Sequence, residues 1–438
     1  MEILQDSENI IKNIKERPLF TPKGWVTSVG STVVRGVVPG VKTKEMCLLR
    51  TPEGVETLSE VVGFDKENVI LSPVGDTGGL SKDTEIIPLG RPHQVFLSPA
   101  LKGHVLDGMG KVISKTEKSL PKGEACLVEA APPDPLERTP IKEAYITGVK
   151  AIDALMTVGH GQRIGLFASP GVGKSTLIST MSQSEGVDTI VIALIGERGR
   201  EVSEFLEAIP EKAREKVVVV VATSDKSPME RAKAAYVATS VAEYFRDRGE
   251  RVLFLMDSIT RYARALREVG LSAGEPPARR GYPPSIYREL PRLIERTGTS
   301  SKGSITAFYT VLVEGDDMND PIADEVASLL DGQIILSRQL QQMGHYPAID
   351  PLKSLSRCMN RVTSEGHQEA ALMMKDYLAK YNEVKLLIDI GEYEKGHCAK
   401  TDRAIEIYPK MMAFLKQLGS SLSPYKETLL QMREVLES

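Results

Sequence analysis

The sequence predicts an α/β protein: a parallel sheet covered by helices on both faces, with a small β-barrel before it and a helical domain after it. Three observations carry this. Between residues 165 and 313, short fully apolar runs alternate with amphipathic segments, the pattern of strands buried on both faces. Residues 24–90 hold only short runs rich in Val, Ile and Leu, separated by turn signals such as Pro39-Gly40, Pro52-Glu53-Gly54 and Gly78-Gly79. From His367 onward, Ala370, Met373, Met374, Tyr377, Tyr381, Val384 and Ile388 recur at helical spacing.

The 438 residues suffice for two to four domains with their own cores. The spacing predicts a first amphipathic helix within residues 1–18, with Ile3, Leu4, Ile10, Ile11 and Ile14 on one stripe and Pro18 ending it. So short a helix must pack on its own domain or on a partner. Strands are expected over 25–29, 33–38 and 69–71. After the Pro-rich loop Ala131-Pro132-Pro133-Asp134-Pro135 they are expected over 165–168, 189–195, 217–222, 252–256 and 304–313, with helices between them. Two further helices follow Asp402 and Lys426. The expected division is 1–20, a partner-binding segment; 21–91, the barrel; 92–362, the core; and 363–438, the helical domain.

Composition excludes several classes. With 41 % hydrophobic and 26 % charged residues, the chain is neither disordered nor a disulfide scaffold. A formal net charge of −4 argues against a globally basic nucleic-acid binder. Cys47, Cys126, Cys358 and Cys398 lie far apart without zinc spacing, as expected of reduced thiols in the cytosol. The first residues lack the basic and apolar regions of a secretory leader, and no apolar run approaches the roughly 20 residues that span a bilayer.

The strongest chemical signal is Ala168-Ser169-Pro170-Gly171-Val172-Gly173-Lys174-Ser175-Thr176, which follows a strand and opens a helix: a P-loop. Its glycines let backbone N–H groups curl around phosphates, Lys174 supplies a point charge for the β- and γ-phosphates, and the Ser175 hydroxyl can ligate Mg²⁺. Ala168 replaces the first glycine of the motif. Asp257 closes an apolar strand, where a buried carboxylate needs compensation. Mg²⁺ would provide it; the alternative is a cap for the next helix. Glu197 follows a third strand, placed to orient an attacking water, while Arg198 and Arg261 could neutralise charge on a transferring phosphoryl group. Arg200 and Glu201 read more simply as an ion-paired helix entrance.

Together with these, the runs Gly148-Val149-Lys150-Ala151-Ile152-Asp153, Gly161-Gln162-Arg163, Ile195-Gly196-Glu197-Arg198-Gly199-Arg200-Glu201-Val202, Asp257-Ser258-Ile259-Thr260-Arg261-Tyr262-Ala263, Gly274-Glu275-Pro276-Pro277-Ala278-Arg279-Arg280-Gly281-Tyr282-Pro283, Gly303-Ser304-Ile305-Thr306-Ala307-Phe308-Tyr309 and His345-Tyr346-Pro347-Ala348-Ile349-Asp350 resemble the ATPases of bacterial type III secretion, including the flagellar branch. That family is similar in turn to the rotary ATPase α and β subunits. The resemblance is dense over 148–360 and looser over most of the chain. It implies a RecA-like core that hydrolyses Mg-ATP, with Glu197 as catalytic carboxylate and Tyr346 stacking on adenine. It also implies that Arg357, in Ser354-Leu355-Ser356-Arg357, is a finger offered to the neighbouring subunit; the plain alternative is an arginine on a helix surface. The implied assembly is a cytoplasmic homohexamer lying peripherally on the inner-membrane export gate. It would meet a stator protein through the N-terminus, a central stalk protein and chaperone–substrate complexes through the C-terminal helices, and no nucleic acid.

Three other readings stand beside it. A non-hydrolysing ring subunit would usually lack a carboxylate at Glu197, and a rotary synthase subunit fits the stretch around Glu197 less well. An RNA-translocating ring would need a basic, aromatic N-terminal fold, whereas residues 24–90 hold only Trp25 and Phe64 as aromatics. The branch within the secretion family stays open: Tyr262-Ala263-Arg264-Ala265-Leu266-Arg267 leans to the injectisome, Glu314-Gly315-Asp316-Asp317 to the flagellum.

Overall fold

The computed structural model describes residues 22–438 except 115–120, 122, 185, 314–319, 397 and 420. The expected helix within 1–18 and the Glu314 to Asp317 stretch lie outside the described residues.

The first unit is a closed antiparallel barrel of β1 (Gly24–Val29), β2 (Val34–Val37), β3 (Glu45–Arg50), β4 (Glu56–Asp65), β5 (Asn68–Val74) and β6 (Glu85–Pro92), in the order β1-β2-β5-β4-β3-β6. Alternating side chains point inward, so Val26, Val34, Leu49, Val61, Leu71 and Ile86 form its core. Gly36 allows a close approach there: a Cβ would meet Ile86 Cδ1 at 2.2 Å.

The second unit is built on a parallel sheet. Its strands are β7 (Val105–Asp107), β8 (Arg163–Ala168), β9 (Thr189–Ile195), β10 (Val217–Ala222), β11 (Arg251–Asp257), β12 (Ser304–Leu312), β13 (Gly332–Ile335) and β14 (Leu355–Ser356). They run in the order β14-β13-β8-β12-β11-β9-β10-β7, all parallel except the β13–β14 pair. Every residue of β9 and β10 is buried, as a sheet covered on both faces requires. The helices that matter below are α1 (Lys150–Leu155), α2 (Lys174–Met181), α3 (Gly199–Ala208) and α4 (Ile259–Ser272).

Three C-terminal helices, α5 (Glu365–Asp389), α6 (Ala399–Leu415) and α7 (Tyr425–Glu437), pack on one another and on α1. Met374, Leu378, Ile407, Met411, Phe414 and Met432 share one core with Ile152 and Leu155. The buried face of α5 differs slightly from the stripe the spacing suggests. Met373 is 47 % exposed, while Ala371 and Leu378 turn inward, because α1, α6 and α7 together decide which face is covered.

Candidate active site

Strand β8 ends at Ala168, which is buried, and its backbone takes no positive φ; no glycine is needed at that first P-loop position. Gly171 and Gly173 do need their freedom, with φ of 84° and 90°, a region that side chains with a Cβ avoid. The turn they make aims the free N–H groups of α2 into a cavity of about 740 Å³, lined by Lys174, Ser175, Thr176, Glu197 and Arg261 among others.

The side chains predicted from β8, β9 and β11 converge there, because all three strands end on the same edge of the sheet. Lys174 Nζ stands 2.6 Å from Asp257 Oδ1 and 3.6 Å from Glu197 Oε1. Arg261 Nη2 donates to Glu197 Oε2 at 3.2 Å, and its Nη1 donates to the Gly196 carbonyl. The capping role considered for Asp257 falls instead to Ser258, whose hydroxyl accepts from Arg261 N at 3.3 Å.

Glu197 is only 5 % exposed. Burial pushes its carboxyl up to about 7; Lys174 and Arg261 pull it down, and the Asp257 charge adds to the rise. Its Oε1 and Arg261 Nε have no hydrogen-bond partner among the described residues, although both are buried. A buried acceptor and donor left open beside a P-loop suit a polar ligand that supplies both. Among the described residues no cluster of three or more His, Cys, Asp or Glu could hold a metal. The Ser175 hydroxyl and the Asp257 carboxylate are hard oxygens beside the P-loop that could hold Mg²⁺, a sparse set that suits an ion completed by water and phosphate.

The remaining predicted residues stand further out. Arg198 is 77 % exposed at the cavity mouth and pairs with Glu201 at 3.7 Å; Arg200 pairs with Glu204 at 3.6 Å. The Ser169 hydroxyl donates to Val313 O at 3.1 Å. Pro170 is exposed at the cavity rim, and Val172 is buried.

A second, more apolar cavity of about 370 Å³ adjoins the first at Gly173 and Thr176. Tyr346, Val149, Val172 and Pro347 line it, as do Gln417 and Leu418 from the loop after α6. Gln417 ties that loop down. Its N–H donates to Tyr346 O at 2.8 Å, its Nε2 donates to Gly148 O at 2.8 Å, and its Oε1 accepts from Lys150 N at 2.9 Å. Thr180 Oγ1 adds a bond to Gly419 O at 2.8 Å. Sequence reasoning missed residues 416–419: no local motif marks them, and only their turn-like composition hints at a loop.

Arg357 is not on a helix surface. It lies exposed in the turn after β14, and its N–H donates to Asp331 O at 2.9 Å. Asp331 N in turn bonds Arg163 O, so Arg357 sits level with the start of β8. The P-loop begins at the other end of that strand, about 16 Å away at strand rise.

Comparison with known proteins agrees with this architecture. Residues 26–90 match the ATP synthase alpha/beta family, beta-barrel domain; residues 148–356 match its nucleotide-binding domain; residues 363–434 match the T3SS EscN ATPase C-terminal domain. The chain is 50 % identical over 408 residues to the type 3 secretion system ATPase of Xanthomonas euvesicatoria, covering 93 % of this chain and 92 % of that protein. It is 44 % identical over 415 residues to the flagellum-specific ATP synthase of Bacillus subtilis, covering 94 % of each. Among solved structures, the assembled ATPase EscN of enteropathogenic E. coli superposes with a TM-score of 0.91 at 43 % identity, over 94 % of this chain and 100 % of that one. EscN in complex with its central stalk EscO gives 0.87 at 42 %, with the same coverage. The P-loop at the strand ends, the barrel before it and the helical domain behind it thus belong to one lineage, and the chain is a member of the type III secretion ATPases, enzymes that hydrolyse ATP.

Proposed function

We propose that this chain is the catalytic subunit of a homohexameric ring that spends Mg-ATP on releasing chaperones from secreted proteins and unfolding those proteins for export. Lys174 and the backbone N–H groups of residues 171–176 hold the phosphates. Glu197 accepts a hydrogen bond from the attacking water and orients it. Arg261 and Arg198 face the charge that develops on the transferred phosphoryl group, and Tyr346 covers the adenine. Ser175 and Asp257 hold Mg²⁺, which when bound draws charge from the phosphate oxygens.

The observation that carries the ring is the position of Arg357, at the far end of the sheet from its own P-loop. An exposed arginine there serves a neighbour's nucleotide. A heterologous contact of that kind closes into a ring. Close likeness to an EscN whose structures are described as assembled, one with its central stalk EscO, supports the ring and a central stalk partner. The ring works in the cytoplasm, resting peripherally on the inner-membrane export gate; no helix among the described residues is long and apolar enough to cross a membrane. Residues 1–20 are assigned to a stator protein, 21–91 to the barrel, 92–362 to the ATPase core, and 363–438 to the central stalk and chaperone–substrate complexes. The buried Glu197 between Lys174 and Arg261 disfavours a non-hydrolysing subunit.

The test is ATPase rate per subunit against protein concentration for wild type, Glu197→Gln and Arg357→Ala. Rising specific activity, with both variants nearly inactive yet able to bind Mg-ATP, supports the ring. Activity flat with concentration and unchanged in Arg357→Ala overturns it.

A further inference from the structure

The Gly161-Gln162-Arg163 run plays no part in the chemistry above, yet Gln162 is fully buried with every side-chain polar atom engaged. Its Nε2 donates to Asp331 O at 2.9 Å and to Ser356 Oγ at 3.0 Å. Its Oε1 accepts from Gly159 N at 2.8 Å and lies 3.2 Å from the Ser356 hydroxyl. Ser356 directly precedes Arg357, and the Asp331 carbonyl that Gln162 holds is the one that accepts from Arg357 N at 2.9 Å. Asp331 is fixed in turn: its N–H donates to Arg163 O at 2.8 Å, and its carboxylate accepts from Arg163 N at 3.1 Å and Arg163 Nε at 3.2 Å.

Strand β14 is only two residues long, too short for its ladder bonds alone to fix the turn that follows. A long, exposed arginine presents its guanidinium at one place only if its own backbone is held. A misplacement of about 1 Å at a reacting centre can cost about 100-fold in rate.

We propose that Gln162, through Ser356 and Asp331, is a positioning residue for Arg357. The clasp sets the point from which Arg357 reaches the next subunit's nucleotide, and it does so from the base of the strand that carries this subunit's own P-loop. The proposal rests on the reading of Arg357 as acting on a neighbour.

Mixed rings separate the two ideas. A Lys174→Ala subunit keeps its arginine and an Arg357→Ala subunit keeps its P-loop, so mixing them restores activity if Arg357 acts on a neighbour. Replacing the first by Lys174→Ala/Ser356→Ala is expected to cut the restored rate about tenfold, with KM for ATP unchanged. Lys174→Ala/Ser356→Thr, which keeps the hydroxyl, restores it. Placing Ser356→Ala on the Arg357→Ala subunit instead changes nothing, whereas general damage to the fold would act from either subunit. Entry into rings is checked by analytical ultracentrifugation. Should the Ser356→Ala donor fail to assemble, Gln162→Met, which removes the bonds to both Ser356 and Asp331 at similar volume, takes its place. Restoration equal to that by Lys174→Ala alone overturns the clasp and leaves the neighbour reading intact. No restoration in the first mixture overturns both.

Discussion

Lys174 and Asp257 meet across the strand-end crevice, Nζ to Oδ1 at 2.6 Å, and the same ammonium reaches Glu197 at 3.6 Å. One lysine thus balances two buried carboxylates, with Arg261 as the only other cation bonded to Glu197 among the described residues. Lys174→Ala removes the phosphate's point charge and leaves the two acids facing each other. Binding of a fluorescent ATP analogue is expected to weaken at least about tenfold; unchanged affinity would sink this account of the crevice.

Glu197 sets a pH dependence. Its carboxyl is pushed up to about 7, chiefly by burial, and only its ionised form accepts a hydrogen bond from water at both oxygens. The kcat/KM for ATP should therefore rise as pH passes through about 7, and Glu197→Gln should lower kcat about 100-fold or more and lose that limb. Stability runs the other way. Between the ordinary value of 4.5 and about 7 the folded protein holds a proton that the unfolded chain has released, so this contribution is present at low pH and lost as pH rises through about 7. Urea melts of the nucleotide-free protein at pH 6 and 8 should show a smaller pH loss in Glu197→Gln.

Gln417 joins the loop after α6 to Gly148, Lys150 and Tyr346 on the wall of the apolar cavity. Gln417→Ala frees that loop. The expected result is a several-fold higher KM for ATP with kcat changed less than about twofold, since the base lies far from the reacting phosphate. Equal falls in kcat and kcat/KM would show instead that the loop acts on the chemistry.

Arg296 is almost wholly buried. It donates to Glu243 Oε1 at 3.0 Å, to Val128 O at 2.7 Å and to Ser240 Oγ at 2.9 Å. Arg296→Ala leaves the buried Glu243 with only the longer contact to Arg246 at 4.0 Å and is expected to cost about 3 kcal/mol in denaturant unfolding. A loss below about 1 kcal/mol would mean that water or a rearranged partner replaces the guanidinium.

What could be read beforehand was local in sequence. The P-loop, Glu197 and Asp257 each follow an apolar strand, and a parallel sheet brings such ends together without further information. Long-range partners were not legible. Gln162 and Ser356 are 194 positions apart and Gln417 and Lys150 are 267, and nothing in either neighbourhood names the other. Asp257 reads from sequence as a metal ligand or a helix cap; in the fold Lys174 takes the carboxylate and Ser258, which the sequence did not single out, does the capping. Met373 faced outward because three helices compete for one face of α5.

The placing of Arg357 and the P-loop at opposite ends of one sheet gives the subunit a direction. On the proposed division of labour, subunits can only follow one another head to tail. An open string of any length then leaves one unfinished centre at its head and one idle arginine at its tail. Only a closed circle leaves no loose end. On that same division of labour, scattered subunits hydrolyse ATP only slowly, and closing the circle is itself the switch that turns the enzyme on.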